Sequence, residues 1–234
     1  MPPVFSHQPT LLSPPYPTTV LPEKYVITIG RTFGSGGRAL GRILADRLGI
    51  AFYDKELLVK AAEKAGLNPE YFEKNDERMP KFISGLIPFA MGYSPMSWFS
   101  DPSSISSDNI YKAQSELIHD LAAEGPCVIV GRSADYVLRD VANVVNIFVH
   151  APAEECAKRI VSRNDCMTRE QALAMAERTN KLRANFYNFY TDKSWGRADS
   201  YDLTLDSSLM PLETIADLVV SYLHMRLGSD AQKG

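Results

Sequence analysis

Apolar residues along this chain come in two patterns that take turns. Some are short unbroken runs; others recur every three or four positions. Tyr25 to Ile29 (YVITI) is a β-branched and aromatic run ending at Gly30, which predicts a buried strand. After a glycine-rich turn, Leu40, Ile43, Leu44 and Leu48 recur at helical spacing and stop at Gly49. Ile50 to Tyr53 predict a second strand, and Asp54 is placed to cap a helix through Leu57, Leu58, Ala61 and Ala62. Further on, Ile110, Leu117, Ile118 and Leu121 mark one helix face, closed by Gly125 and Pro126. Cys127 to Val130 and Val144 to Val149 are two more buried strands. Pro152 opens a helix with Glu154 and Glu155 in its first turn, and Thr168 with Gln171 forms a capping box for a long helix to about Tyr190. Tyr201 to Leu205 predict the last strand, followed by a helix from Pro211 to Arg226. Five apolar strands alternating with helices call for an α/β fold: a parallel five-stranded sheet with helices on both faces.

Two stretches break this rhythm. Residues 1 to 22 carry seven prolines, which remove backbone donors and fix φ, so an extended arm or a disordered tail is expected. The other reading is a strand docked across a partner subunit. Residues 79 to 107 are rich in Gly, Pro, Ser, Met and aromatics and nearly free of charge. A flap, or a patch buried against a partner, fits that composition. These two stretches are the surfaces through which a second copy of the chain would bind.

The 234 residues are 45% hydrophobic and 23% charged, with 25 Lys+Arg against 28 Asp+Glu and a net charge of -3. That balance disfavours nucleic acid as the main partner, and no apolar run approaches the length of a membrane span. Cys127, Cys156 and Cys166 form no CxxC pair, and His7, His119, His150 and His224 are scattered, so no metal site is expected. The N-terminus does not read as a secretory signal, and a cytoplasmic location is expected.

The sharpest chemical signal is Gly30-Arg31-Thr32-Phe33-Gly34-Ser35-Gly36-Gly37-Arg38, between a buried strand and an amphipathic helix. Glycines let backbone N–H groups turn inward, and the helix N-terminus adds positive potential, so Gly34, Ser35, Gly36, Gly37, Arg38 and Ala39 are the candidate phosphate cradle. The pattern is not GxxxxGK followed by Ser or Thr. Arg38 stands in the lysine's place and Ala39 in that of the magnesium-binding hydroxyl. Alternatively, the segment is only a tight turn packed by small residues. Gly131-Arg132 follows a strand at the edge where such sheets bind ligands, although an arginine there also suits a surface salt bridge. Arg159 and Arg163 share a helix face; Arg178 and Lys181 share one on the next helix, with Arg183 about 140° round from Arg178. Guanidinium groups hold phosphate bidentately and neutralise a transferring phosphoryl group, but these residues also suit solvated ion pairs. The aromatic run Phe186, Tyr187, Phe189 and Tyr190, with Trp195, fits burial of a helix end better than base stacking.

Taken together, IGRTFGSGGRALGRILADRLGIAFYDKELL, VIVGRSADYVL, the helix from Pro152 to Arg163 and the stretch from Arg178 through WGRADSYDLTLDSS resemble the cytidylate-kinase-like family of P-loop kinases. The likeness covers most of residues 24 to 225. It implies a P-loop kinase-type sheet with a helical monophosphate-binding insertion (about 55–107) and a lid (about 163–197). These lie within a kinase-like domain spanning 24–228, flanked by a proline-rich tail (1–23) and a short tail (229–234). It further implies an ATP- and Mg2+-dependent phosphotransferase whose partners are small-molecule nucleotides, with CMP or dCMP as the default acceptor. On this resemblance the acceptor-binding residues are Asp54, Arg132 and Asp135, and the catalytic cations are Arg38, Arg163, Arg178, Lys181 and Arg183. The cytidylate kinases carry Gly-Arg-Asp where this chain has Gly131-Arg132-Ser133. Asp54 matches the start of their Asp-Thr-Gly-Ala-Met-Tyr-Arg motif, but Lys55, Glu56 and Leu57 follow. A kinase of another small molecule and a non-catalytic nucleotide-binding regulatory module are the alternatives.

Overall fold

In the computed structural model, the described residues are 19–54, 107–163 and 167–228. The helix expected after Asp54, the proline-rich tail up to residue 18 and nearly all of the 79–107 stretch lie outside them. The elements run β1 (Val26–Arg31), α1 (Gly37–Leu48), β2 (Ala51–Tyr53), α2 (Ser107–Glu124), β3 (Cys127–Val130), α3 (Ala134–Val137), β4 (Val144–His150), α4 (Ala153–Val161), α5 (Arg169–Tyr190), β5 (Leu203–Asp206) and α6 (Leu212–Leu227). The strands form one parallel sheet in the order β2-β3-β1-β4-β5. β1 thus lies in the middle, with the ends of β3 and β4 on either side.

The three central strands β3, β1 and β4 are largely buried, covered on both faces as parallel sheets require, which is why they read as nearly unbroken apolar runs, while the edge strands β2 and β5 are only partly buried. Ile27, Ile29, Val128, Val130, Val145 and Ile147 pack against Leu40 and Leu44 of α1 and Ile215, Val219 and Leu223 of α6. On the opposite face Val26, Ile129 and Val144 meet Ile118 and Leu121 of α2 and Val137 and Leu138 just beyond. A third cluster joins α4 to α5 through Ala157, Ile160, Ala172 and Ala176, and Phe33 inserts into it. One polar pair lies inside the sheet. Thr28 Oγ1 donates to Asn146 Oδ1 at 2.7 Å, between residues that face each other across β1 and β4.

The ends of the helices follow the expected local chemistry. Gly49 closes α1 at φ +65. Thr168 and Gln171 cap α5 reciprocally, and that helix ends at Tyr190. α3 was not expected, being too short to show a period. At the N-terminal end, Thr19 Oγ1 donates to the carbonyl of His224 at 3.1 Å, and Leu21 packs on the first core. No helix among the described residues is long and apolar enough to cross a membrane.

Candidate active site

All five strands point their carboxyl ends the same way, so the residues that follow them share one edge of the sheet. β1 ends in Arg31, and the chain turns through Thr32–Gly36 into α1. Gly34 and Gly36 have φ of +82 and +86, the left-handed region that glycine enters without strain. A Cβ on Gly34 would also stand 2.7 Å from the carbonyl oxygen of Cys156, so this glycine is needed for close approach to α4. Ser35 folds its hydroxyl back onto the carbonyls of Thr32 (2.9 Å) and Val149 (3.0 Å). Its own carbonyl accepts from Arg159 Nη1 at 2.9 Å and from the Ser207 hydroxyl. A trans peptide sets N–H opposite C=O, so the Gly36 N–H faces away from Arg159. Among the described residues the backbone N–H groups of Gly34, Gly36, Gly37, Arg38 and Ala39 have no hydrogen-bond acceptor. Five such donors around the positive end of a helix suit phosphate oxygens.

Beside this loop four guanidinium groups gather around one carboxylate. Arg38 donates through Nε to Asp54 Oδ2, and Arg31 Nη2 lies 3.7 Å from Asp54 Oδ1. The Arg31 side chain is only 19% exposed. It runs through a slot made by two glycines. A Cβ on Gly37 would come within 2.6 Å of Arg31 Cβ, and one on Gly131 within 1.9 Å of Arg31 Nη1. Arg183 reaches in from α5, donating to the Arg31 carbonyl at 3.0 Å with its guanidinium 5.5 Å from the Phe33 ring centre. Arg132 completes the group. Among the described residues its guanidinium has no hydrogen-bond or ion-pair partner.

Burial pushes Arg132 down to about 10, the like charge of Arg31 adds to this, and Asp54 opposes it. Burial, followed by the charges of Arg31 and Arg132, holds Arg183 well below the usual arginine range. Arg31 is lowered chiefly by burial; Asp54 offsets this in part and Arg38 adds to it. An arginine in a protein keeps its charge at neutral pH, so the cluster carries a surplus of positive charge that a polyanion would neutralise. The turn that holds Arg132 is itself unusual. Gly131, Arg132 and Ser133 are all left-handed, at φ +81, +66 and +52, a strain that marks functional turns. Gln114 Nε2 steadies it by donating to the Arg132 carbonyl at 3.2 Å.

Of the site residues read from the sequence, the loop Gly34–Ala39, Asp54, Arg132 and Arg183 thus come together. Arg163, Arg178 and Lys181 are exposed and stand outside the group. Asp135 is buried beneath α5, accepting from the Tyr187 hydroxyl at 2.5 Å. The aromatic run is mostly packing. Tyr187 is buried near Tyr201, Phe148 meets Trp195 and Tyr201, Tyr190 stacks on Tyr111 at 4.3 Å, and Phe189 is exposed. The sequence reading missed Arg31, Arg159 as a loop contact, and Asn180, whose Oδ1 accepts from the Phe33 N–H at 2.7 Å. The available signal for Arg31 was a charged residue ending a buried strand; nothing local marked Asn180.

Burial raises the Asp135 carboxyl above its ordinary range, and the Tyr187 hydroxyl pulls it back down. Tyr187→Phe should therefore cost about 1–3 kcal/mol at neutral pH, because the buried carboxylate loses its donor. The folded-state value lies above the unfolded one, so burying this charge weighs against folding as pH rises through the folded value. The cost of Tyr187→Phe should accordingly shrink as pH falls and Asp135 takes up a proton. Denaturant titrations at neutral and acid pH would measure both.

The family model described as the cytidylate kinase-like family matches residues 26–209. Among solved structures, an uncharacterized protein from Eubacterium ventriosum ATCC 27560 is 25% identical, with a TM-score of 0.63 over 87% of this chain and 100% of that one. A gluconokinase from Sinorhizobium meliloti 1021 is 16% identical, with a TM-score of 0.52 over 90% and 98% of the two chains. That second likeness is one of fold. No curated protein matches the chain.

Proposed function

The chain belongs to the cytidylate kinase-like family and has the P-loop kinase fold, and from that premise we propose that it transfers the γ-phosphoryl group of ATP to a nucleoside monophosphate, with CMP or dCMP as the default acceptor. The observation that carries this reading is the cluster of Arg31, Arg38, Arg132 and Arg183 around the Asp54 carboxylate, next to a loop whose N–H donors have no acceptor among the described residues. Such a site fits two phosphorylated reactants brought end to end.

The loop fits ATP phosphates because its N–H groups have no acceptor among the described residues and its surroundings are cationic. Magnesium would supply charge neutralisation between the phosphates. Ala39 offers it no oxygen, so phosphate and water would be its main ligands. Arg132 and Asp54 would hold the acceptor, while Asp135 acts at a distance by anchoring α5. Arg183 is the strongest of the lid cations, since it already reaches the loop, whereas Arg163, Arg178 and Lys181 would have to swing in. An acceptor phosphate is anionic near neutral pH and needs no dedicated base, so positioning and electrostatics would do the catalytic work. The domain limits 24–228, the insertion about 55–107 and the lid about 163–197 belong to the same reading. Buried free thiols at Cys127 and Cys156 agree with a reducing cytoplasm.

The pairing of Arg38 with Asp54 supports a second reading, a regulatory module that binds nucleotide without catalysis. A coupled assay across nucleoside monophosphates and small hydroxylated acceptors, with ATP and magnesium, separates the readings. Transfer to a monophosphate is the expected result. Transfer only to another small molecule would replace the acceptor, and ATP binding without transfer to anything would favour the module.

A further inference from the structure

Arg159 lies on α4, outside the arginine cluster, and its guanidinium meets backbone and hydroxyl oxygens. Nη1 donates to the Ser35 carbonyl and to Ser207 Oγ, each at 2.9 Å, and Nη2 donates to the Ser207 carbonyl at 2.6 Å. Ser207 directly follows β5, and its hydroxyl lies between the carbonyls of Ser35 and His150. One side chain therefore ties together three segments distant in sequence: the glycine loop, the base of the α4–α5 hairpin and the end of the last strand. The carbonyl it holds is the one whose orientation decides where the Gly36 N–H points. With Gly36 left-handed at φ +86, that peptide plane has little intrinsic preference, so an external clamp is required to fix it.

We propose that Arg159 is a positioning residue for the phosphate loop. By holding the Ser35 carbonyl against Ser207, it keeps the Gly36 N–H turned toward bound phosphate. This rests on the loop being the ATP phosphate site. It assigns Arg159 a role through the peptide plane rather than through contact with the nucleotide. The distinction is measurable, because a positioned loop matters equally to a ligand with no base.

The test uses the full chain and two probes, ATP and inorganic tripolyphosphate, titrated by calorimetry. Arg159→Ala should weaken both by a similar factor of roughly tenfold or more, the scale of one charge-assisted hydrogen bond. Arg159→Lys should recover part of the loss, and the KM for the phosphate acceptor should stay unchanged. Ser207→Ala removes the hydroxyl from the same clamp while leaving the charge, and should weaken both probes to a smaller extent. It carries the test if Arg159→Ala fails to fold, which near-ultraviolet circular dichroism will show. Loss of ATP affinity with undiminished tripolyphosphate affinity would mean that Arg159 contacts the base, and would overturn the proposal. So would unchanged affinity for both probes in folded Arg159→Ala and Ser207→Ala. Failure of the wild type to bind either probe would remove the ATP-site reading itself, and is recognised before any variant is made.

Discussion

Arg132→Met should lower kcat/KM for phosphoryl transfer by about 10²–10³-fold, the scale of losing one preorganised charge-stabilising donor, while making the protein more stable. The two effects share one cause. Burial and the charge of Arg31 both disfavour the Arg132 cation, and among the described residues no carboxylate is paired with it. In the free protein that charge is a liability, and only an anionic ligand turns it into an asset. Methionine keeps similar length, has no charge and removes the repulsion, so Tm should rise by about 2–4 °C, the shift produced by roughly 1 kcal/mol in a chain of this size. Arg132→Lys keeps a cation and should show no such gain. A variant with normal turnover, or one that loses stability along with activity, would return Arg132 to a purely structural role.

The second large effect is expected at Gly131. Its φ of +81 strains any other residue, and a Cβ would stand 1.9 Å from Arg31 Nη1. Gly131→Ala should displace Arg31 from Asp54, reduce transfer by about 10²-fold and cost about 1–3 kcal/mol of stability. The clash and the strain can be separated. Combining Gly131→Ala with Arg31→Ala removes the guanidinium that the new methyl meets, so the double variant should be more stable than the sum of the single effects predicts, by about 0.5–3 kcal/mol. Activity should not return, because Arg31 is needed in place. Additive stabilities would mean that Arg31 simply moves aside at no cost.

Local rules made much of the fold legible. Gly49 had to close α1, Thr168 and Gln171 had to open α5, and the unbroken runs at 127–130 and 144–149 had to be buried strands, because caps and periodicity act over a few residues. Strand order was not legible, since it depends on which apolar faces meet across the whole chain. The glycines of the loop were noticed for one reason and prove to serve another as well: Gly34 and Gly37 make room for Cys156 and for the stem of Arg31. Helical spacing put Arg159 and Arg163 on one face of a helix from Pro152 to Arg163, but α4 ends at Val161, so Arg163 lies past the helix and is exposed while Arg159 reaches the loop. Spacing gives a direction around an axis only as far as the helix lasts. For α5 it was sufficient, because the angle between Arg178 and Arg183 already sent them to different surroundings.

The Thr28–Asn146 hydrogen bond bears on how the chain avoids misfolding. β1 and β4 are so uniformly apolar that sliding one past the other by two residues would keep every side chain on its own face. Hydrophobic burial alone hardly opposes that slip, which would shift the strand ends by about 6.6 Å relative to each other. The buried Thr28 hydroxyl and the half-buried Asn146 amide match only when the two residues face each other, so the shifted pairing loses their hydrogen bond. The offset between Arg31 and the loop after β4 is thus favoured by a pair of uncharged residues in the sheet. Replacing both with valine would leave a stable sheet with its reading frame no longer specified.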